Sequence, residues 1–416
     1  AGSFVVKTAQ AFRAHVMDMF EPQDHPDDFA YPGATPTPPY DIAGWTLAYS
    51  MGVEFDRILD GFDGPFQRLD LLASPTAGKV TNADDAAGFY LSTRINDSYR
   101  AVNRLLAAGA EIDRLEAPST LGDRVLPAGT FYIANTQGTA DTLNQLAQQL
   151  GVSFHGAKAS PTVETKRLHE LRVGLWDRTG GSMPSGWTRW ILEQFEFPFE
   201  VVYAGDLESE ELRSKYDVLI FVTGALSDRR GRGLGISHLG DFLKQGGTVL
   251  AIGSSTSLGN QLELPFGSHL VQINDDGEEQ PLTRSEFYIP GSLLRVRVDN
   301  SQPLAWGLDE EIDVMFANGS PTFRLLDANE DAEASLASIA WFDTDKPLRS
   351  GWAWGQEHLN GGVSIIDASV GEGRLALFGP EVLFRGQPHG TFKFVFNGIL
   401  NANPTPAASD EGSCGR

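Results

Sequence analysis

The sequence predicts an α/β fold in which a doubly wound, mainly parallel sheet is joined to a smaller sandwich of strands and helices. Short uninterrupted apolar runs, such as VLIFV at Val218 to Val222, alternate with amphipathic helical stretches, the pattern of strands buried on both faces. The links between them are short, which implies parallel strands with right-handed crossovers. At 416 residues the chain exceeds one ordinary core of about 100–200 residues, so two or three domains are expected.

Residues 1–87 contain EPQDHPDDFAYPGATPTPPYD (Glu21 to Asp41), whose prolines exclude helix and central strand over most of its length. An extended connector is expected there. From Gly88 the pattern tightens. GFYLST forms a strand, and Asp97 is placed to cap a helix with Tyr99, Val102, Leu105 and Leu106 on one face until Gly109. AEIDRLE and GTFYIAN add two strands, a helix follows with Leu143, Leu146, Ala147 and Leu150 inward, and VSFHG completes the set after Gly151. Strand, helix, strand twice over suits a ferredoxin-like sandwich across 88–165.

The larger unit spans 166–402. LRVGLWD is a buried-type strand, and Ser185 is placed to cap a helix that turns Trp187, Trp190, Ile191 and Phe195 inward. FEVVYA, YDVLIFV, the helix ISHLGDFLKQ closed by Gly246 and Gly247, and TVLAIG continue the alternation. GRLALFG (Gly373 to Gly379) and a closing helix within PEVLFRGQPHGTFKFVFNGIL end it. Between them, SLLRVRVD, IDVMFAN, PTFRLL and ASIAWFD mark a β-rich insertion at 265–349, with the acidic run ANEDAEAS (Ala328 to Ser335) as a solvated loop. Residues 403–416 are expected to be a flexible tail.

Composition narrows the function. Apolar residues make up 41% and charged residues 21%, as in globular proteins. A net charge of −23 repels phosphate backbones and anionic lipid, so no nucleic-acid partner is expected. No apolar run approaches the roughly 20 residues of a membrane span. Cys414 is the one cysteine, so neither an intrachain disulfide nor a thiolate metal site is expected. The stretch from Ala1 has neither a basic n-region nor an apolar h-region, so no signal peptide is expected in it, and the chain is expected to be a processed or truncated piece.

Ligands of an open doubly wound sheet sit outside the carboxyl ends of its strands. Those ends supply the candidate ligand-binding residues: Asp177, Arg178, Thr223, Ser254, Ser255, Glu381 and Arg385. Ser255 lies at a strand-to-helix corner, as a hydrolase nucleophile would. A G-x-S-x-G elbow needs a second glycine, and Gly253 to Ser257 is G-S-S-T-S. A serine also needs an imidazole to take its proton. His269 and His389 are available, neither placed by a motif, and helix capping is the simpler role for these serines. HVMDMFEPQDHPDD (His15 to Asp28) gathers His and Asp without the spacing of a zinc or calcium site, so no metal is assigned. Trp176, Trp187, Trp190, Trp352 and Trp354 are expected in the core or at a seam between units, with Trp352 and Trp354 on one side of a strand.

Two resemblances follow from these motifs. Residues from Leu171 to Leu400 resemble the class I glutamine amidotransferase-like, flavodoxin-like scaffold, whose Gly-x-Cys-x-Gly elbow and late His-Pro-Glu carry its chemistry. Gly253 matches the first glycine, Ser255 stands at the cysteine, Ser257 replaces the second glycine, and Gly379, Pro380 and Glu381 replace the late motif, so the imidazole is absent. More widely, FVVKTAQAFRAHVMDMFEPQDHPDDF, PPYDIAGWTLAYSMGVEFDRI, LWDRTGGSMPSGWTRWILEQFEFPFEVVY, PLRSGWAWGQEHL and GPEVLFRGQPHGTFKFVFNGIL resemble the region that follows the catalytic domain in large exported bacterial zinc carboxypeptidases of the carboxypeptidase A-like family. This implies export and a parent enzyme whose catalytic domain binds zinc. The family's H-x-x-E and distant His have no match in this chain, so the resemblance gives it no cofactor of its own.

The sequence therefore points to a non-catalytic accessory region whose partner is the parent's peptidase domain and, through it, a peptide substrate. A serine hydrolase acting through Ser255 and a peptide- or glycan-binding module are the alternatives.

Overall fold

The structure is a computed structural model that describes residues 3–42, 45–69, 72–226, 237–326 and 334–405. Ala1, most of the acidic run at 328–335 and the tail carrying Cys414 lie outside the described residues. The fold is mixed α/β with several sheets: one of twelve strands, one of six, and two hairpins among the described residues.

The apolar runs form the parallel half of the large sheet. Glu200–Val202, Val173–Trp176, Val218–Phe221, Thr248–Ile252 and Gly373–Phe378 lie side by side in that order, parallel throughout, which is 2-1-3-4-5 in chain order. Every residue of the Val173–Trp176, Val218–Phe221 and Thr248–Ile252 strands is buried, because helices cover both faces of a parallel sheet. The closing helix is shorter than the apolar stretch around it, Phe392–Leu400, and is buried along its whole length.

The insertion does not form a separate sheet. Val363–Val370 pairs antiparallel with Gly373–Phe378 and carries Ala334–Trp341, Gly291–Val298 and Glu311–Ala317 outward from it. Antiparallel structure thus runs to Val370, past the expected end at residue 349. VSIIDASV is buried over its first six residues and lacks the alternation that marks the other insertion strands.

In the smaller sheet, Gly88–Leu91, Ile112–Leu115, Phe131–Ala134 and Phe154–Ala157 pair antiparallel in the order 4-1-3-2. The Asp97–Ala107 helix buries Tyr99, Val102 and Leu105, and the Thr139–Leu150 helix buries Leu143, Leu146, Ala147 and Leu150. Gly151 stops the latter in a left-handed conformation, φ 70°, that favours glycine. The expected connector contributes as well: Val80–Thr81 adds an edge strand, and Arg13–Phe20 and Leu47–Ser50 are helical. One hydrophobic core runs through both sheets.

Several local expectations are corrected. The Met183–Gln194 helix is capped by Ser182, whose hydroxyl accepts from the Ser185 N–H, so Ser185 is not the cap. Its inward face is Ser185, Thr188, Ile191 and Leu192, which leaves Trp190 48% exposed. Asp97 is the first helical residue, and Asn96 precedes it as the cap position. Trp352 and Trp354 are not in a strand; they meet the N-terminal segment, Trp352 Nε1 donating to Asp27 at 2.8 Å and Trp354 packing edge-on to Phe29 at 4.7 Å. Residues 403–405 are tied down, since the Thr405 N–H donates to Asp217 at 2.8 Å.

Candidate functional site

The parallel strands bring the rim residues to one end of the sheet, and three of the seven, Asp177, Ser255 and Glu381, are buried. The Ser255 hydroxyl is 1% exposed and donates to the Val222 carbonyl at 2.6 Å. Ser254 accepts from the Gly224 N–H at 2.9 Å. Neither caps the helix that follows, contrary to expectation; both tie the corner to the neighbouring strand end. Thr223 donates to Glu381, which is buried and whose carboxyl burial pushes up, the Thr223 hydrogen bond opposing it. Gly253 at φ +58° makes this closure possible, since a Cβ there would lie 2.1 Å from the Thr223 hydroxyl and 2.7 Å from Glu381 Oε1.

The other rim residues stay apart from this knot. Buried Asp177 accepts from the Arg178 N–H at 2.8 Å, and Arg178 Nε donates to the Gly181 carbonyl at 2.9 Å, so both close on their own loop. Arg385 is exposed, with its guanidinium 5.3 Å from the Phe384 ring. Neither histidine serves Ser255. His269 Nε2 is 3.1 Å from the Asn360 carbonyl, and His389 stacks on Phe392 at 4.7 Å. Among the described residues no three His, Cys, Asp or Glu gather as metal ligands.

The large cleft lies elsewhere. A cavity of about 1100 Å³ opens between the N-terminal segment at Tyr49 to Asp56, the Arg94–Asp97 turn, the Arg295–Asp313 hairpin and the start of the closing helix at His389 to Lys393. Most of its charges are paired. Arg94 bridges Glu54 at 3.3 Å and Asp309 at 3.2 Å. Arg295 holds Asp313 at 2.7 Å, and Arg349 reaches the same carboxylate at 3.3 Å while lying 4.7 Å over the Tyr49 ring.

Lys393 differs. It is 8% exposed, lines the cleft, and makes no hydrogen bond or ion pair with any described residue. Burial pulls its ammonium down to about 8, partly opposed by Asp309 and reinforced by Arg94. Across the cleft, half-buried Asp97 is likewise without a hydrogen bond or ion pair to a described residue. Burial raises its carboxyl, with Arg100, His389 and Arg104 opposing. Burial also lowers His389, against the pull of Asp97. Asn96 Nδ2 joins the two walls by donating to the His389 carbonyl at 2.8 Å. The sequence points to no site here: it offers Asp97 as a helix cap and His389 as a possible base for Ser255. Lys393 did carry a signal, as the one ionisable residue in an otherwise apolar and amide helix, FKFVFNGIL.

No family model matches this chain, and no curated protein matches it. Among solved structures it is similar to a Thermoplasma acidophilum protein described as belonging to GMP synthase, with TM-score 0.35 and 14% identity over 56% of this chain and 94% of that one. A ThuA-like protein from Bacteroides uniformis gives TM-score 0.33 and 11% identity over 59% and 99%. A β-galactosidase from Bacillus circulans gives 0.32 and 12% over 57% and 32%.

Proposed function

We propose that this chain is a non-catalytic accessory region of an exported bacterial zinc metallocarboxypeptidase, packed on the parent's peptidase domain and shaping access to it. Its larger unit is then a flavodoxin-like, glutamine amidotransferase-like domain with a spent elbow, and its smaller unit is ferredoxin-like. The strand orders 2-1-3-4-5 and 4-1-3-2 support that naming.

One observation supports the reading most directly: the elbow hydroxyl is committed to a backbone carbonyl. A serine nucleophile needs its proton directed at a base, and the Ser255 proton goes to Val222. Two residues earlier in the same corner, Thr223 and Glu381 close over Gly253. The zinc belongs, on this reading, to the peptidase domain. The described residues supply no ligand set for it, so no step is assigned to zinc in this chain.

Two experiments test the proposal. Peptide hydrolysis by the chain alone, with and without added zinc, is expected to stay at background; robust turnover refutes it. Sequencing the complete reading frame is expected to show H-x-x-E and a distant His ahead of this region, and a frame without them removes the carboxypeptidase assignment.

A further inference from the structure

A buried ammonium with no partner is costly, because nothing offsets the loss of its hydration. Proteins keep such groups where something else meets the charge. Lys393 sits in this position on the wall of the 1100 Å³ cleft, on a helix otherwise buried among apolar neighbours. The remaining cleft cations, Arg94, Arg295 and Arg349, already hold carboxylates. An anion alone is a poor fit, since acidic residues outnumber basic ones around the cavity and the chain carries −23. The charged groups within the walls that lack a described partner are one cation, Lys393, and two carboxylates, exposed Asp56 and half-buried Asp97, of which Asp97 is the one withdrawn from water.

We propose that this cleft binds a small zwitterion, a free amino acid or the end of a short peptide, with Lys393 receiving its carboxylate and Asp97 its ammonium. His389 and Asn96 line the same cleft, Asn96 holding the His389 backbone. The site is independent of the accessory role: it needs neither a peptidase domain nor the elbow.

Titration calorimetry on the full chain, using glycine, glycylglycine and triglycine as probes, tests this. Saturable binding of at least one is expected, at least tenfold weaker in both Lys393→Met and Asp97→Asn, with circular dichroism checking that each variant folds. On the wild-type chain, acetylation of Lys393 followed by mass spectrometry is expected to slow when that probe is present. The proposal is overturned if no probe binds, if binding survives Lys393→Met, or if the probe leaves acetylation unchanged. It is equally overturned if acetate or inorganic phosphate binds as tightly as the best zwitterion, since Asp97 would then have no role.

Discussion

Lys393 and Asn397 stand one turn apart on the same face of the closing helix, and both are buried. Around Asn397 every polar atom is used. Its amide oxygen accepts from the Arg114 guanidinium and from the Tyr99 hydroxyl at 2.6 Å, and its nitrogen donates to the carbonyls of Leu304 at 3.1 Å and Trp306 at 2.9 Å. Arg114, fully buried, also donates to Gly129 and Asn401 and lies 4.8 Å over the Trp306 ring. Around Lys393 no described residue hydrogen-bonds or ion-pairs with the ammonium, and Asp309 only partly offsets its burial from a distance. The difference separates two uses of a buried cation. Arg114 bolts the small sheet to the closing helix with its donors met, while Lys393 is held out of water and left open to a cleft.

Breaking the bolt should give the largest effect. Arg114→Ala strands the oxygens of Asn401 and Gly129, leaves that of Asn397 with Tyr99 alone and opens a cavity, so a loss of about 3–5 kcal/mol in chemical denaturation is expected. A loss below about 1 kcal/mol would mean that Arg114 is not what holds the two units together, and the comparison would fail on its structural side.

The same experiment at Lys393 should have the opposite sign. Lys393→Met removes a charge the fold disfavours and is expected to stabilise by about 2 kcal/mol near neutral pH while abolishing zwitterion binding. The folded-state value, about 8, lies below the ordinary lysine value of 10.5. Between them the unfolded chain holds the proton more tightly, so wild-type stability should gain from this group as pH rises through that window. The variant lacks that gain. Equal stability of the two proteins at pH 7 would show that Lys393 is already satisfied.

Asp217 extends the comparison to an anion. Burial on its own would raise this carboxyl, but hydrogen bonds from the Arg172 side chain and N–H, from Arg213 and from Thr405 reverse that and hold it well below the usual carboxylate range. Its stabilisation is present above the unfolded value of about 3.9 and lost as pH falls through the folded one. Asp217→Asn is therefore expected to cost about 2 kcal/mol at pH 7, and acid titration should bring the two proteins together.

The parts that satisfy themselves locally were the legible ones. VLIF and TVLAI announce buried parallel strands because each residue is apolar, and the helices of the small sheet show their inward faces at regular spacing. Arg114 was illegible: in the strand IDRL it stands as an ordinary polar residue, and its partner Asn397 is 283 positions away. Trp190 misled for a related reason. Helical spacing fixed its side of the helix, but the buried side was taken by the small residues Ser185 and Thr188. The rim was legible as a place and not as a state, because strand order gathers Thr223, Ser255 and Glu381 without telling which hydroxyl turns inward. The cleft needs four segments distant in sequence; Asp97 and His389 stand out for other roles, and the lysine within KFVFNGIL is marked only by its apolar surroundings.

Ser255 supplies the smallest expected effect and the sharpest contrast with Lys393, since both are buried polar groups near a place where chemistry was sought. Replacing Ser255 by Ala removes one oxygen and one hydrogen bond. Val222 keeps a second donor, the Ala225 N–H at 3.0 Å, so its carbonyl is not orphaned and the cost should stay near 1 kcal/mol. A serine-directed phosphonate should leave wild-type and Ser255→Ala equally unlabelled, because the hydroxyl is buried and reaching it would require breaking its bond to Val222. Labelling of wild type at Ser255, lost in the variant, would make the elbow a live nucleophile and overturn the non-catalytic reading.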